Sequence, residues 1–148
     1  MINFNFQNTA LKLQQRQLLR SWIKEVISWE GLKTGEVNYI FCDDENLYEL
    51  NINYLKHNTL TDIITFDYTE RNKISGDIYI SVERVSENAK KFDKKFYDEL
   101  YRVMIHGILH LAGYKDKDET SKIAMRRKED ECLNLLNRKF ETNISDTK

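Results

Sequence analysis

The sequence predicts a single α/β (α+β) domain, a mixed sheet of about four strands packed with helices. Three observations predict it. The chain has 148 residues, a length that one hydrophobic core usually serves. Apolar patterns of period two and period 3.6 succeed one another in the order β-α-β-α-β-β-α-α-α. The link between the third and fourth strands is short, which makes that pair antiparallel, because parallel neighbours need a long crossover.

The elements follow in chain order. Ile2, Phe4 and Phe6 alternate with Asn3 and Asn5, the pattern of a half-buried strand. From about Gln14 to Glu30, Leu19, Trp22, Ile23, Val26 and Ile27 form one helical stripe, and Gly31 ends it. Val37, Tyr39 and Phe41 alternate as a second strand. Asp43 or Asp44 caps a helix from about Glu45 to Leu55. Ile63-Ile64-Thr65-Phe66 is short, apolar and β-branched, as in a buried strand. A polar loop with Glu70, Arg71, Asn72 and Lys73 leads past Gly76-Asp77 to a fourth strand, Ile78-Tyr79-Ile80. Helices are expected over about Val82–Phe92, Lys95–Ala112 and Glu119–Phe140. The domain therefore spans 1–140, and 141–148 is a frayed C-terminal tail.

Composition narrows the functional classes. Charged residues make up 32% and hydrophobic ones 41%, which excludes a membrane protein, a collagen-like fibre and a low-hydrophobicity disordered chain. Met1 to Phe6 has neither the basic region nor the apolar run of a signal peptide. The two cysteines, Cys42 and Cys132, read as reduced thiols of a cytoplasmic protein. The formal net charge is -1, so no global basic field draws in nucleic acid. There are no prolines and three histidines. Gly, Asn and Asp must punctuate the chain, and two of the histidines carry its chemistry.

His106 and His110 stand four residues apart on an apolar helix with Leu100, Val103, Met104 and Ile105. That spacing sets the imidazoles about 40° apart on one face, where both can reach one metal ion. Gly113 follows and can take a positive φ, stopping the helix and turning the chain back. The turn presents Asp116. The pattern H-x3-H-x2-G-x2-D has the ligand geometry of helix-plus-turn zinc sites, with a carboxylate as third ligand. A single buried histidine is usually a satisfied core residue; two on one apolar helix each need a partner. Gly107 occupies the place of the general-base Glu of H-E-x-x-H peptidases, so a peptidase lacks its base. Three protein ligands leave a position for water or substrate. The charge of Asp116 makes bound water less acidic than three neutral imidazoles would.

The stretch HGILHLAGY resembles the signature of the YbeY family of rRNA maturation factors, described as zinc-dependent endoribonucleases. Its motif reads roughly H-G-x-L-H-L-x-G-Y-D-H. Leu50-Asn51-Ile52-Asn53-Tyr54 and Thr61-Asp62-Ile63-Ile64-Thr65-Phe66 look like the family's LN-x-x-Y and TDVLSF segments. Gly76-Asp77-Ile78-Tyr79-Ile80-Ser81 looks like its GDI-x-I-S strand. The resemblance implies a single α/β domain with one Zn2+ per chain in a cleft. It also implies a cytoplasmic endoribonuclease that cuts phosphodiesters with metal-activated water in rRNA maturation and ribosome assembly. The implied partners are rRNA or its precursor and the ribosomal subunit or its proteins, with no membrane. Four residues depart from the pattern. Asp116 replaces the usual third His, Lys115 the usual Asp, Leu55 the usual Arg and Leu60 the usual Pro.

With that Arg absent, Lys56 and His57 are the catalytic candidates, although a lysine does not reproduce a guanidinium fork. His57 has three readings: an exposed loop residue, an acid/base group or a competing ligand. Asp62 and Asp77 are candidate hydrogen-bond partners of the ligand imidazoles, or strand-end and turn residues. Lys115 joins them as a cleft candidate. Lys90, Lys91, Lys94, Lys95, Lys115, Lys117, Arg126, Arg127 and Lys128 are either a phosphate-contacting rim or solvated helix faces. Besides a nuclease, two other functions are compatible with these residues. One is a ribosome-assembly binding module with a structural metal. The other is a non-haem Fe(II) enzyme, since two His and one carboxylate also make a facial triad.

Overall fold

The period-two segments pair into one sheet. A computed structural model of the chain describes residues 1–55 and 61–146. In it β1 (Ile2–Phe6), β2 (Lys33–Cys42), β3 (Ile63–Asp67) and β4 (Lys73–Ser81) lie in the order β1-β2-β4-β3. β1 and β4 run parallel to β2, and β3 runs antiparallel to β4, as the short link between them requires. Five helices complete the described residues: α1 (Arg16–Trp29), α2 (Asp44–Leu55), α3 (Val82–Lys91), α4 (Phe96–Leu111) and α5 (Glu119–Asp146). The result is the single α+β domain with a mixed four-stranded sheet that the patterning predicts.

Local chemistry sets the element ends. Gly31 closes α1 at φ +71. Asp43 caps α2 by accepting the Asn46 N–H at 2.9 Å. Ser81 caps α3 by accepting the Arg84 N–H at 3.1 Å, and Asp118 does the same for Ser121 at 2.7 Å ahead of α5. Three elements are longer than the periodicity implies. β2 and β4 begin earlier because Lys33 and Thr34 pair with Lys73 and Ile74. The polar loop is therefore only a tight turn, closed by a Glu70–Lys73 bridge. α5 runs past Phe140 to Asp146. No Gly or Pro interrupts residues 140–146, and Ile144 follows Phe140 at helical spacing.

Alternation decides which face each strand residue serves. Val37, Tyr39, Phe41, Ile74, Ile78 and Ile80 are fully buried in the main core with residues of α1, α4 and α5. Two buried side-chain donors tie these layers together. The Tyr39 hydroxyl donates to the Met104 carbonyl at 2.9 Å, and the Trp22 indole N–H donates to the Cys132 carbonyl at 2.7 Å. The opposite face carries Leu47 of α2 against Cys42 and Ile64, then a polar ladder. There Asn3 donates to Asn38 at 2.9 Å and Asn38 donates to Asp77 at 3.1 Å. Both cysteines are buried and free, and burial pushes each thiol up to about 12. They are not nucleophiles at neutral pH.

Candidate metal centre

The site begins with α4, which is apolar on most sides and buries Leu100, Val103, Met104, Ile105, Ile108, Leu109 and Leu111. Gly107 lets it lie close on the sheet. A Cβ there would stand 3.0–3.1 Å from side-chain atoms of Ile78 and Ile63. The position that holds a general base in H-E-x-x-H peptidases is thus a packing position here.

His106 and His110 project from α4 with ring centroids 4.4 Å apart and planes at 85°. Their side chains are 21% and 27% exposed, so neither is an enclosed core residue. Gly113 takes φ +106. Its N–H and that of Tyr114 bond the His110 and Leu109 carbonyls, each at 3.0 Å, and the helix ends. The turned chain brings Asp116 Oδ2 to 3.3 Å from His106 Nε2 and 3.4 Å from His110 Nε2.

The outer ring nitrogens are committed elsewhere. His106 Nδ1 meets Glu129 Oε2 at 2.6 Å, and His110 Nδ1 meets the Tyr114 carbonyl at 3.0 Å. A carbonyl only accepts, so His110 Nδ1 carries a proton and, in the neutral ring, Nε2 offers a lone pair. The Glu129 carboxylate imposes the same tautomer on a neutral His106. Two nitrogen lone pairs and a carboxylate oxygen then face one another, all three within 4.8 Å. Acceptors with no donor between them repel unless a cation sits among them. Separations of 3.3 and 3.4 Å also match the edge of a tetrahedron with metal bonds of about 2.0–2.1 Å. The residues present fit a metal ion. In its absence burial opposes a charge on His106. The hydrogen bond and charge of Glu129, together with Asp116 and Asp62, outweigh burial and hold the imidazole above its ordinary pKa.

Glu129 is the residue that sequence reasoning missed. It is 4% exposed. Its second oxygen accepts from Arg102 at 2.8 Å, while the other Arg102 nitrogen donates to Asp130 at 2.6 Å. A signal existed: Met125, Cys132 and Leu136 form the buried stripe of α5, and Glu129 is the one carboxylate on it.

Two clefts meet at the cluster. One, of about 390 Å³, lies between α4 and α5 and is lined by His106, Asp116, Asp62, Glu99, Lys122 and Arg126 among others. The other, of about 340 Å³, follows the edge strand from Thr61 to Thr65 beside all three candidate ligands. Burial raises the Asp62 and Glu99 carboxyls above the usual range. For Glu99 the sign is definite. Its folded pKa exceeds its unfolded value, so its ionisation opposes folding above that pKa and the penalty disappears in acid. Glu99→Gln is expected to melt higher than the parent at neutral pH. The difference should shrink as pH falls through the carboxylate range, as thermal melts at stepped pH would register; a constant difference would contradict this origin.

The other sequence candidates separate. Asp62 reaches the cleft, but its carboxylate accepts from Asn88 at 3.4 Å. The roles expected of Asp62 and Asp77 at the imidazoles fall to Glu129 and the Tyr114 carbonyl. Asp77 alternates with buried Gly76 and Ile78, so it sits on the opposite face of the sheet, on Asn38. Lys115 is exposed and lines neither cleft. Lys56, His57 and Leu60 lie outside the described residues. Of the expected rim, Arg126 alone lines the larger cleft, and Lys128 is taken by Glu30 at 3.3 Å and Glu131 at 3.4 Å.

An α+β domain whose central helix and following turn converge two imidazoles and a carboxylate on one point defines a class: single-domain proteins with a cluster that could hold a metal ion beside an open cleft. The chain belongs to the YbeY family, whose profile, described as Endoribonuclease YbeY, matches residues 2–137. Among its relatives, the Endoribonuclease YbeY of Flavobacterium johnsoniae is 56% identical over 92% of this chain and 97% of its own length. That of Flavobacterium psychrophilum is 51% identical over 92% and 96%. That of Porphyromonas gingivalis is 42% identical over 97% and 95%. The solution structure of a Thermotoga maritima protein superposes with a TM-score of 0.65 at 28% identity, covering 97% of this chain and 95% of its own.

Proposed function

We propose that this protein is a zinc-dependent endoribonuclease that hydrolyses phosphodiesters in rRNA maturation and ribosome assembly in the cytoplasm. The observation that carries the reading is the facing set of His106 Nε2, His110 Nε2 and Asp116 Oδ2, with both tautomers fixed from behind, at the junction of two open clefts. Bound there, zinc supplies a Lewis acid for a phosphoryl oxygen and lowers the pKa of coordinated water. The protein's own part is to hold the ligands. Glu129 and the Tyr114 carbonyl engage each Nδ1 and so turn each Nε2 toward the ion, Gly113 delivers Asp116, and the carboxylate reduces the positive charge of the site. The family names of the relatives support RNA as the substrate. The net charge of -1 favours a shaped, ribosome-bound RNA over free RNA held by charge alone. Buried reduced thiols fit the cytoplasm, and among the described residues no helix is long and apolar enough to cross a membrane.

The test is elemental analysis of purified protein alongside cleavage of an rRNA precursor. One zinc per chain is expected, with cleavage lost on chelation and restored by zinc. Stoichiometric zinc with no cleavage above a His106→Ala control would make the protein a ribosome-assembly binding module with a structural metal. Iron in anaerobically purified protein would point instead to the facial-triad reading.

A further inference from the structure

We infer that Lys122 and Arg126 form a phosphate-binding wall that holds the RNA backbone beside the metal cluster. The inference rests on the RNA reading above and adds residues that the ligand motif does not contain. Both side chains line the cleft that also holds His106 and Asp116. They stand one helical turn apart on α5, so they face the same way about 6 Å from each other. Both are exposed, and among the described residues neither side chain forms a hydrogen bond or salt bridge, the charge of Arg126 reaching Glu99 only through space. That distinguishes them from neighbouring cations. Arg102, which lines the same cleft, is committed to Glu129 and Asp130 at 2.8 and 2.6 Å. Lys128 is committed to Glu30 and Glu131.

The cleft is also polarised. Of its carboxylates, Glu129 is neutralised by Arg102 and Asp116 belongs to the ligand cluster, which leaves Asp62 and Glu99 opposite the two cations. A phosphate entering this space is repelled by the carboxylates and attracted to α5. The backbone therefore tracks the Lys122–Arg126 wall, and the sugars and base edges, which carry N–H and O–H donors, turn toward Asp62 and Glu99. A basic patch elsewhere on the surface would set no such direction. Here the anion position is fixed relative to the cluster, as it must be for residues that bind the flanking backbone equally in ground and transition state.

The experiment measures binding of a short fluorescent 2′-O-methyl oligoribonucleotide, which resists cleavage, to the zinc-loaded protein across a salt series. Arg126→Gln is compared with Arg127→Gln, its exposed neighbour with the same charge change, and with Lys122→Gln/Arg126→Gln. For single-stranded RNA each lost contact reduces the slope of log K against log salt by about 0.7. Arg126→Gln should show that loss, the double variant about twice it, and Arg127→Gln almost none; Arg126→Lys should restore most of it. On cleavable RNA the double variant should raise KM roughly tenfold and leave kcat nearly unchanged, the pattern of lost uniform binding. Equal slopes for Arg126→Gln and Arg127→Gln, or no binding by the parent protein, overturn the inference. If the parent binds with these slopes but cuts no RNA, the hydrolase reading fails and the phosphate site stands. If it cuts RNA and the slopes coincide, the reverse holds.

Discussion

Asp116→Ala is expected to abolish stoichiometric metal binding and to lower RNA cleavage by about 10²–10³ or more, since a lost Lewis acid is worth several kcal/mol in the transition state. Among the described residues Asp116 is the one third donor brought to the imidazoles, at 3.3 and 3.4 Å, and an alanine there leaves two of these ligands, both on one helix. The fold should persist. Asp116 is 40% exposed and its contacts are with the two histidines, so circular dichroism and the melt of chelated protein should be close to those of the parent. Unchanged metal content would remove the site assignment.

Asp116→His separates metal binding from tuning. It keeps three donors but exchanges an anionic ligand for a neutral one, so the positive charge of the loaded site rises by one unit. By Coulomb's law a more positive site acidifies coordinated water. The alkaline-rising limb of the pH–rate profile should therefore move to lower pH. A profile that stays in place at full metal occupancy would mean that another group sets it.

What could be read from the sequence depended on how local each signal was. His106, His110, Gly113 and Asp116 fall within eleven consecutive residues. Helix geometry and one left-handed glycine are enough to place them, and the structure puts their donor atoms within 4.8 Å. The sheet was legible for the same reason: each strand carried its own local signal, alternation in the first two and a short β-branched run in the third, and the short link fixed the antiparallel pair. The support of the site was not local. Glu129 comes from another helix, 23 positions beyond His106, and the partner of His110 is a backbone carbonyl, which no side-chain pattern encodes. Asp77 shows the opposite case. Its motif neighbours suggested the site, while its own alternation between buried Gly76 and Ile78 already assigned it to the far face. Lys122 was passed over because charge runs favour neighbours in sequence, whereas a cleft selects residues one turn apart.

Glu129→Ala should produce the largest combined loss of stability and metal affinity among substitutions that spare the ligands. Its carboxylate is 4% exposed and serves two groups at once, His106 Nδ1 at 2.6 Å and the Arg102 guanidinium at 2.8 Å. An alanine leaves both without that partner in a poorly solvated space. Breaking one side of such a buried charged network costs about 3–5 kcal/mol, a fall of about 10 °C or more in Tm for a chain of this length. Glu129→Gln keeps the volume, and its amide oxygen accepts from one of the two donors. It should lose less stability, yet it still weakens the hold on the His106 tautomer. Since the partner behind a ligand histidine is worth roughly 10–100-fold in metal affinity, zinc should bind Glu129→Gln about that much more weakly. Measured well below the melt, where the variant is fully folded, that loss cannot come from unfolding. An affinity equal to that of the parent would reduce Glu129 to a packing residue and leave His106 oriented by α4 alone.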